Sequence, residues 1–368
     1  MKLTKLMLSA CVAALALASC NKNENGPVVM DENLKSVEIS LSNVQFATKG
    51  PGHTSDLSGT DLQLNTIQLF FTDGTGLYTP KMADGATDAT TYLDAADASG
   101  ENLNFHYLPA AVNKVIAIGN SAPISASSLE DLELEVEIGN QQDPTNLILF
   151  AESQITTKKT PNHDTAPNAH ETDVYTVALN LLPRVARFEL NGFSCNFTTA
   201  GISSVEIAQV HFVDYFNTNT IRPNANSDLR AIDMTSQTTI FNHLLAHTAQ
   251  DWDNDLFDPA IQLTVANNTT AAGDINLAYN FYPGVGAYPR FVLYLTTDGI
   301  LPSYLATTTF RTEGGELLDS ASDFKPGYIY RITDFAFSDT DLTHQDRCVE
   351  ITLSVSKWNV VSVLPNFN

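Results

Sequence analysis

The chain has 368 residues, long enough for two domains, and carries 42 acidic side chains against 19 basic ones, a formal charge of −23. That charge excludes partners held by attraction to their own negative charge, nucleic acid and anionic lipid above all. Beyond the first twenty residues no stretch is apolar enough to cross a bilayer as a helix.

Lys2 and Lys5 open the chain, 6–16 is a short apolar run, and Leu17-Ala18-Ser19-Cys20 closes it with small residues before a cysteine. The run is too short to span a membrane and ends on a cleavage pattern, so 1–19 is expected to be a signal peptide. The ending is similar to the lipobox of bacterial lipoproteins. That likeness implies cleavage between Ser19 and Cys20, lipidation of Cys20 (palmitate among the acyl chains) and anchoring to the outer membrane. Two or more chains, at roughly 0.8 kcal/mol per buried methylene, hold durably. Residues 20–35 are polar, contain Gly26-Pro27, and are expected to be a tether.

From residue 36 the chain reads as β almost throughout. Val37, Ile39 and Leu41 alternate with polar residues, then the phase slips to Val44 and Phe46, predicting a bulge near Ser42-Asn43. Leu62 and Leu64, followed by Ile67, Leu69 and Phe71, show the same slip. Thr72-Asp73-Gly74-Thr75-Gly76 has turn chemistry. Further strands are predicted at 114–118, 146–150, 175–181, 187–192, 204–215, 275–282, 291–296, 304–311, 328–337 and 349–358. Helix is expected only at 238–246. The 127–137 stretch offers Ser127 and Ser128 as caps, yet Leu132, Leu134 and Val136 alternate like a strand. The turn-rich stretches 84–100 and 156–172 are expected to be surface loops. Many short strands with frequent turns predict an all-β fold of sandwiches, with a border near Pro183.

Several stretches then resemble one family. They are the lipobox at Cys20 and Val115-Ile116-Ala117-Ile118-Gly119-Asn120. Next come Leu-Asn-Leu-Leu-Pro-Arg-Val-Ala-Arg-Phe-Glu-Leu at 179–190 and Asn280-Phe281-Tyr282-Pro283. The last are Phe-Lys-Pro-Gly-Tyr-Ile-Tyr-Arg-Ile at 324–332 and Val-Glu-Ile-Thr-Leu-Ser-Val-Ser-Lys-Trp-Asn at 349–359. In this order they resemble the fimbrillins, the major fimbrial subunits of Bacteroidia-type pili built from surface lipoproteins. The resemblance implies two transthyretin-like β-sandwich domains in tandem, here 36–183 and 184–368. It also implies a lipid-anchored precursor and a maturation protease that removes the first strand, 36–47. A neighbouring copy or a related pilus subunit then fills the groove with its C-terminal strand, and the pilus supports adhesion.

The residues supply the parts such an exchange needs. The loop 47–60 is rich in residues that favour exposed, flexible backbone, and Lys49 is its one lysine or arginine. The first arginine of the chain is Arg184, so an arginine-specific protease could not release the first strand alone. A trypsin-like enzyme cutting Lys49–Gly50 is expected instead, with Lys35 as the fallback. The tail 359–368 is the expected donor, with Val361, Val363 and Leu364 as pocket fillers.

Other constellations carry less. Cys195 and Cys348 either pair as a disulfide or sit as apolar thiols. Arg184 and Arg187 read as surface charge pairing or as a contact at a seam between domains or subunits. Asp251-Trp252-Asp253-Asn254-Asp255 lacks the glycine and the bidentate glutamate of a calcium loop. With its tryptophan it could instead face a glycan. His163, His170, Asp164 and Asp173 share a Pro/Asn/Thr-rich stretch that reads as a solvated loop. Neither a metal ligand set, a cofactor fingerprint nor a nucleophile arrangement emerges, so no enzyme, metal or cofactor is expected. The competing reading is an uncleaved, monomeric surface lipoprotein, acting as a glycan-binding or tip adhesin module on a host or bacterial ligand. A third is an uncleaved pilus base subunit.

Overall fold

The computed structural model describes residues 34–362 apart from 42–43, 47–61, 95–96, 99–102, 160–172, 199–200, 225, 233–235, 248, 272, 300, 343–346 and 359. Nearly every described element is a strand, and the one α-helix is Gln237–Ala246. The all-β expectation therefore holds.

Two sheets draw only on residues before Ala186. One runs Thr157–Lys159, Asp173–Leu179, Leu34–Leu41, Leu103–Pro109. The other runs Leu182–Pro183, Leu149–Gln154, Lys114–Gly119, Thr66–Thr72, Leu77–Tyr78, with Tyr92–Asp94 also on Thr66–Thr72. A nine-stranded sheet draws only on later residues. Its order is Asn254–Thr264, Ser204–Val213, Arg290–Thr297, Leu301–Thr312, Cys348–Lys357, Tyr328–Ile332, Ala186–Leu190, Leu277–Phe281, with Leu317–Leu318 added on Leu301–Thr312.

The bulge expected near Ser42-Asn43 falls outside the described residues, but the strands flanking both phase slips belong to different sheets. At each, the chain leaves one sheet for another. Leu34–Leu41 belongs to the four-stranded sheet, whereas Val44–Phe46 pairs with the chain's tail. Leu62–Leu64 pairs with that same tail, and Thr66–Thr72 joins the six-stranded sheet. Between Leu64 and Thr66 the alternation restarts because the buried side is redefined by a new neighbour.

The family-like stretches are core-building segments. Lys114–Gly119 is covered on both faces. Val115 and Ala117 enter the main core, while Ile116 and Ile118 meet Phe70, Leu132 and Ile221 on the other side. That is why the run is continuously apolar rather than alternating. Phe188, in Ala186–Leu190, stands among six rings (Phe212, Phe281, Phe291, Phe310, Phe324 and Tyr330) with centroids 5.0–5.9 Å away. Gly327 donates its N–H to the Val185 carbonyl and accepts from the Trp358 N–H, both at 2.9 Å. Its φ is +78°, and a Cβ there would meet Leu182 at 3.2 Å, so the turn requires glycine. The 179–190, 324–332 and 349–359 stretches therefore converge at one place.

The two groups of sheets are tied by backbone and amide bonds. Glu135–Glu137 pairs antiparallel with Tyr215–Thr220. Asn280 is fully buried; its side-chain amide donates to the Gln141 carbonyl at 2.6 Å, and its N–H donates to Gln142 Oε1 at 2.9 Å. Tyr282 donates to the Val136 carbonyl at 3.1 Å. Buried polar groups must be satisfied, and here each half satisfies the other's.

Candidate assembly interface

The expected exchangeable strand lies at the centre of its sheet. Leu34–Leu41 runs parallel to Asp173–Leu179, with Val37 opposite Tyr175 and Ile39 opposite Val177. On its other edge it runs antiparallel to Leu103–Pro109, with Val37 opposite Phe105 and Ile39 opposite Leu103. The one irregularity of this pairing falls between Lys35 and Val37. Val37 and Ile39 are 0% and 1% exposed. The strand thus separates two strands that do not pair with each other, and both adjacent ladders end on it.

Lys35, the fallback cleavage point, is a poor one. It is buried within this strand, and its ammonium donates to the carbonyls of Ala110 and Val112. Burial holds its pKa below the usual lysine value, against the opposing pull of Asp173. A protease needs an extended, accessible backbone at the scissile bond, and a central strand denies it. Ser19, Cys20, Lys49, Gly50, Val363 and Leu364 lie outside the described residues.

Val361 is described. It lies in Val360–Ser362, which runs parallel between Val44–Phe46 and Leu62–Leu64. Val361 is in register with Gln45 and Gln63. Val360 and Ser362 are in register with Leu62 and Leu64, both fully buried. The tail is therefore a strand within its own chain, flanked by segments on either side of the 47–61 stretch.

The disulfide alternative is corrected by the structure. Cys195 and Cys348 are not bonded to each other. Cys195 lies on Phe193–Asn196, which pairs with Phe335–Ser338, whereas Cys348 opens the Cys348–Lys357 strand opposite Ala306. Burial, with Asp339 and Asp341 nearby, pushes the Cys195 thiol up to about 12.

Arg184 is a seam residue rather than a surface pair. Its guanidinium donates to Asn219 Oδ1 and the Thr220 carbonyl, both at 3.3 Å, and lies 5.9 Å from the Phe150 ring. Arg187 bonds Glu189 at 3.0 Å and sits 5.6 Å from the Trp358 ring. In the 251–255 stretch two of the three carboxylates are already engaged by aromatic hydroxyls, and Asp251 accepts from the Trp252 N–H. Asp253 accepts from Tyr215 at 2.7 Å, and Asp255 accepts from Tyr279 at 2.5 Å. Trp252 packs edge-on against Tyr215 at 4.8 Å and against Gly139, so it braces the seam. The 163–170 residues lie outside the described residues, and Asp173 pairs with Lys158.

No protein-family model matches the chain, and no curated protein is similar to it in sequence. Solved structures are similar over nearly the whole chain. A candidate cell adhesion protein from Bacteroides eggerthii is 14% identical, with a TM-score of 0.52 over 92% of this chain and 100% of its own. One from Parabacteroides distasonis is 15% identical, with a TM-score of 0.52 over 91% and 99%. A fimbrilin from Porphyromonas gingivalis is 12% identical, with a TM-score of 0.50 over 89% and 99%. With a strand-dominated architecture matched over about nine-tenths of the chain and little identity to carry it, the likeness is one of fold, and the chain has the fimbrillin-like β-sandwich fold.

Proposed function

We propose that this chain is a structural subunit of a cell-surface pilus that supports adhesion. In this reading it is exported as a lipoprotein on Cys20, cut at Lys49–Gly50 by a trypsin-like protease, and polymerised by donor-strand exchange at the outer membrane. Two tandem transthyretin-like domains, 36–183 and 184–368, belong to the same reading. The change of sheet membership between Pro183 and Ala186 favours that border.

The observation that carries the proposal is the central seat of Leu34–Leu41. Its loss would open a slot with unpaired backbone on both walls and with the sites of Val37 and Ile39 exposed. An incoming strand that refills it gains roughly 1.5–3 kcal/mol per buried aliphatic side chain and two rows of backbone partners. The tail suits the donor role for a second reason. One of its two partners, Val44–Phe46, lies upstream of Lys49 and would depart with the excised segment. The remaining tail, with Val361, Val363 and Leu364, would then have an open edge.

The test is limited trypsin digestion of the purified precursor lacking lipid. A new N-terminus at Gly50, followed by ladders that survive mild SDS and vanish when 359–368 is deleted, supports the proposal. A nicked chain that keeps its leading segment and stays single overturns it. A monomer that binds polysaccharide would instead favour the adhesin module, and a mature form lipidated on Cys20 would favour the base subunit.

A further inference from the structure

Three histidines meet where the helix packs on the nine-stranded sheet. His211 lies on Ser204–Val213 and is 1% exposed. His243 lies on Gln237–Ala246 and His247 just beyond its end, both half-buried. One ring nitrogen from each lies within 4.8 Å of the other two. The ring centroids are 5.4, 5.4 and 4.4 Å apart. Residues four apart share a helix face, so His243 and His247 present as a pair. Ile240 and Leu244, on the same helix, fix that face against Val213, Val292, Tyr304 and Ala306.

The hydrogen bonds already assign two tautomers. His247 Nδ1 lies 2.7 Å from the His243 carbonyl, which can only accept, so Nδ1 carries the proton and Nε2 the lone pair. His211 Nε2 lies 2.8 Å from Gln209 Oε1, which leaves the lone pair on Nδ1. A ring nitrogen anchored to a carbonyl while the other stays bare is the usual arrangement of a metal-binding histidine. Burial, and then the other two rings, push His211 down to about 3, and burial with His247 lowers His243 as well. Uncharged imidazole is the ligand form. The carboxylates whose fields reach His243 are occupied elsewhere, Asp253 by Tyr215 and Asp214 by Arg290. Arg230 is also near.

We propose that His211, His243 and His247 form a three-histidine site for a divalent transition metal of the zinc class, which clips the helix to the sheet and keeps a fourth position open. Imidazole nitrogens bind zinc at ~2.0–2.1 Å in a tetrahedron, which sets them about 3.4 Å apart. The cluster needs to close by up to about 1.4 Å, a rotamer-scale adjustment of the His243 and His247 rings. Three imidazoles without carboxylate select zinc, copper or nickel over magnesium and calcium. Sequence reading missed the set because two ligands are helical neighbours and the third comes from a distant strand. The His-x-x-x-His spacing at 243–247 was the available signal.

The experiment is titration of the purified full chain, stripped with chelator, with Zn²⁺ and with Co²⁺ as its coloured substitute. Excess Mg²⁺ occupies the many surface carboxylates. The expected result is one equivalent bound, tetrahedral cobalt absorption bands and a raised melting temperature. His243→Ala and His247→Ala each weaken Zn²⁺ binding by at least ~10–100-fold, and Gln209→Ala by about tenfold. Both helix variants melt like the parent without metal, as judged by circular dichroism. Absence of a tetrahedral cobalt spectrum, or Zn²⁺ affinity unchanged in the His243→Ala/His247→Ala double variant, overturns the proposal.

Discussion

Ile39→Ala separates a strand that leaves from a strand that stays. Ile39 is 1% exposed, opposite Val177 in one neighbouring strand and Leu103 in the other. Truncating an isoleucine in such a closed site costs ~2–5 kcal/mol. If the segment upstream of Gly50 is discarded on maturation, that cost falls on the intact chain alone. Val177→Ala is the control, since its strand remains in both forms; losing two methyl-sized groups costs about 1.6 kcal/mol before any cavity cost. Guanidinium unfolding of the intact chain and of the trypsin-assembled polymer reads both. Ile39→Ala should lower the midpoint of the intact chain and leave that of the polymer unchanged, whereas Val177→Ala should lower both. Where release of the leading strand limits assembly, even 2 kcal/mol speeds ladder formation by about thirtyfold. A polymer weakened by Ile39→Ala would mean the leading strand is retained, and the exchange mechanism would be refuted.

Phe188→Ala removes the ring shared by six neighbours and should cost about 3–5 kcal/mol, toward the upper end, in urea unfolding of the intact chain; a loss under ~2 kcal/mol would show that the rings close over the gap. With its thiol near 12 and 1% exposure, Cys195 should resist iodoacetamide at pH 8 in the folded chain. In denaturant without reductant both Cys195 and Cys348 should be alkylated, and a mass showing them linked would contradict the structure. Burial raises the pKa of Tyr215, Tyr279 and Tyr282 above the ordinary tyrosine value. The folded chain then keeps protons that the unfolded chain releases, so their contribution is complete below about pH 10 and falls as pH rises beyond it. Urea midpoints between pH 8 and 11 should decline at the alkaline end, and Tyr282→Phe should flatten that decline while losing roughly 1 kcal/mol at neutral pH with its bond to Val136.

Much of the fold was legible because it is written locally. The alternation of Val37, Ile39 and Leu41 predicts a half-buried strand, and the unbroken Val115–Ile118 run is explained by cover on both faces. The short helix expected at 238–246 is present as Gln237–Ala246, and Ser236 caps it, accepting from the Thr239 N–H at 3.4 Å. The phase slip near Asn65 was visible, but its meaning was not. A bulge and a change of sheet leave the same mark in a sequence, and only the identity of the next neighbour distinguishes them. Lys35 looked as accessible as any lysine beside a tether; that it donates to Ala110 and Val112 depends on a turn more than seventy residues away.

Composition and short-range pattern determined that this chain is acidic, strand-rich, led by a lipobox-like segment, and carries a lone lysine in the turn-rich sequence after its first strand. These properties depend on side chains within a few residues of one another, and a linear reading recovers them. Register, by contrast, is a relation between distant segments. Only the tertiary structure put Leu34–Leu41 between Asp173–Leu179 and Leu103–Pro109, set the tail beside Val44–Phe46, and gathered His211 with His243 and His247. Closing such loops costs entropy that varies little with their length, so the many-body fit of the buried core, not the spacing along the chain, selects which strands meet.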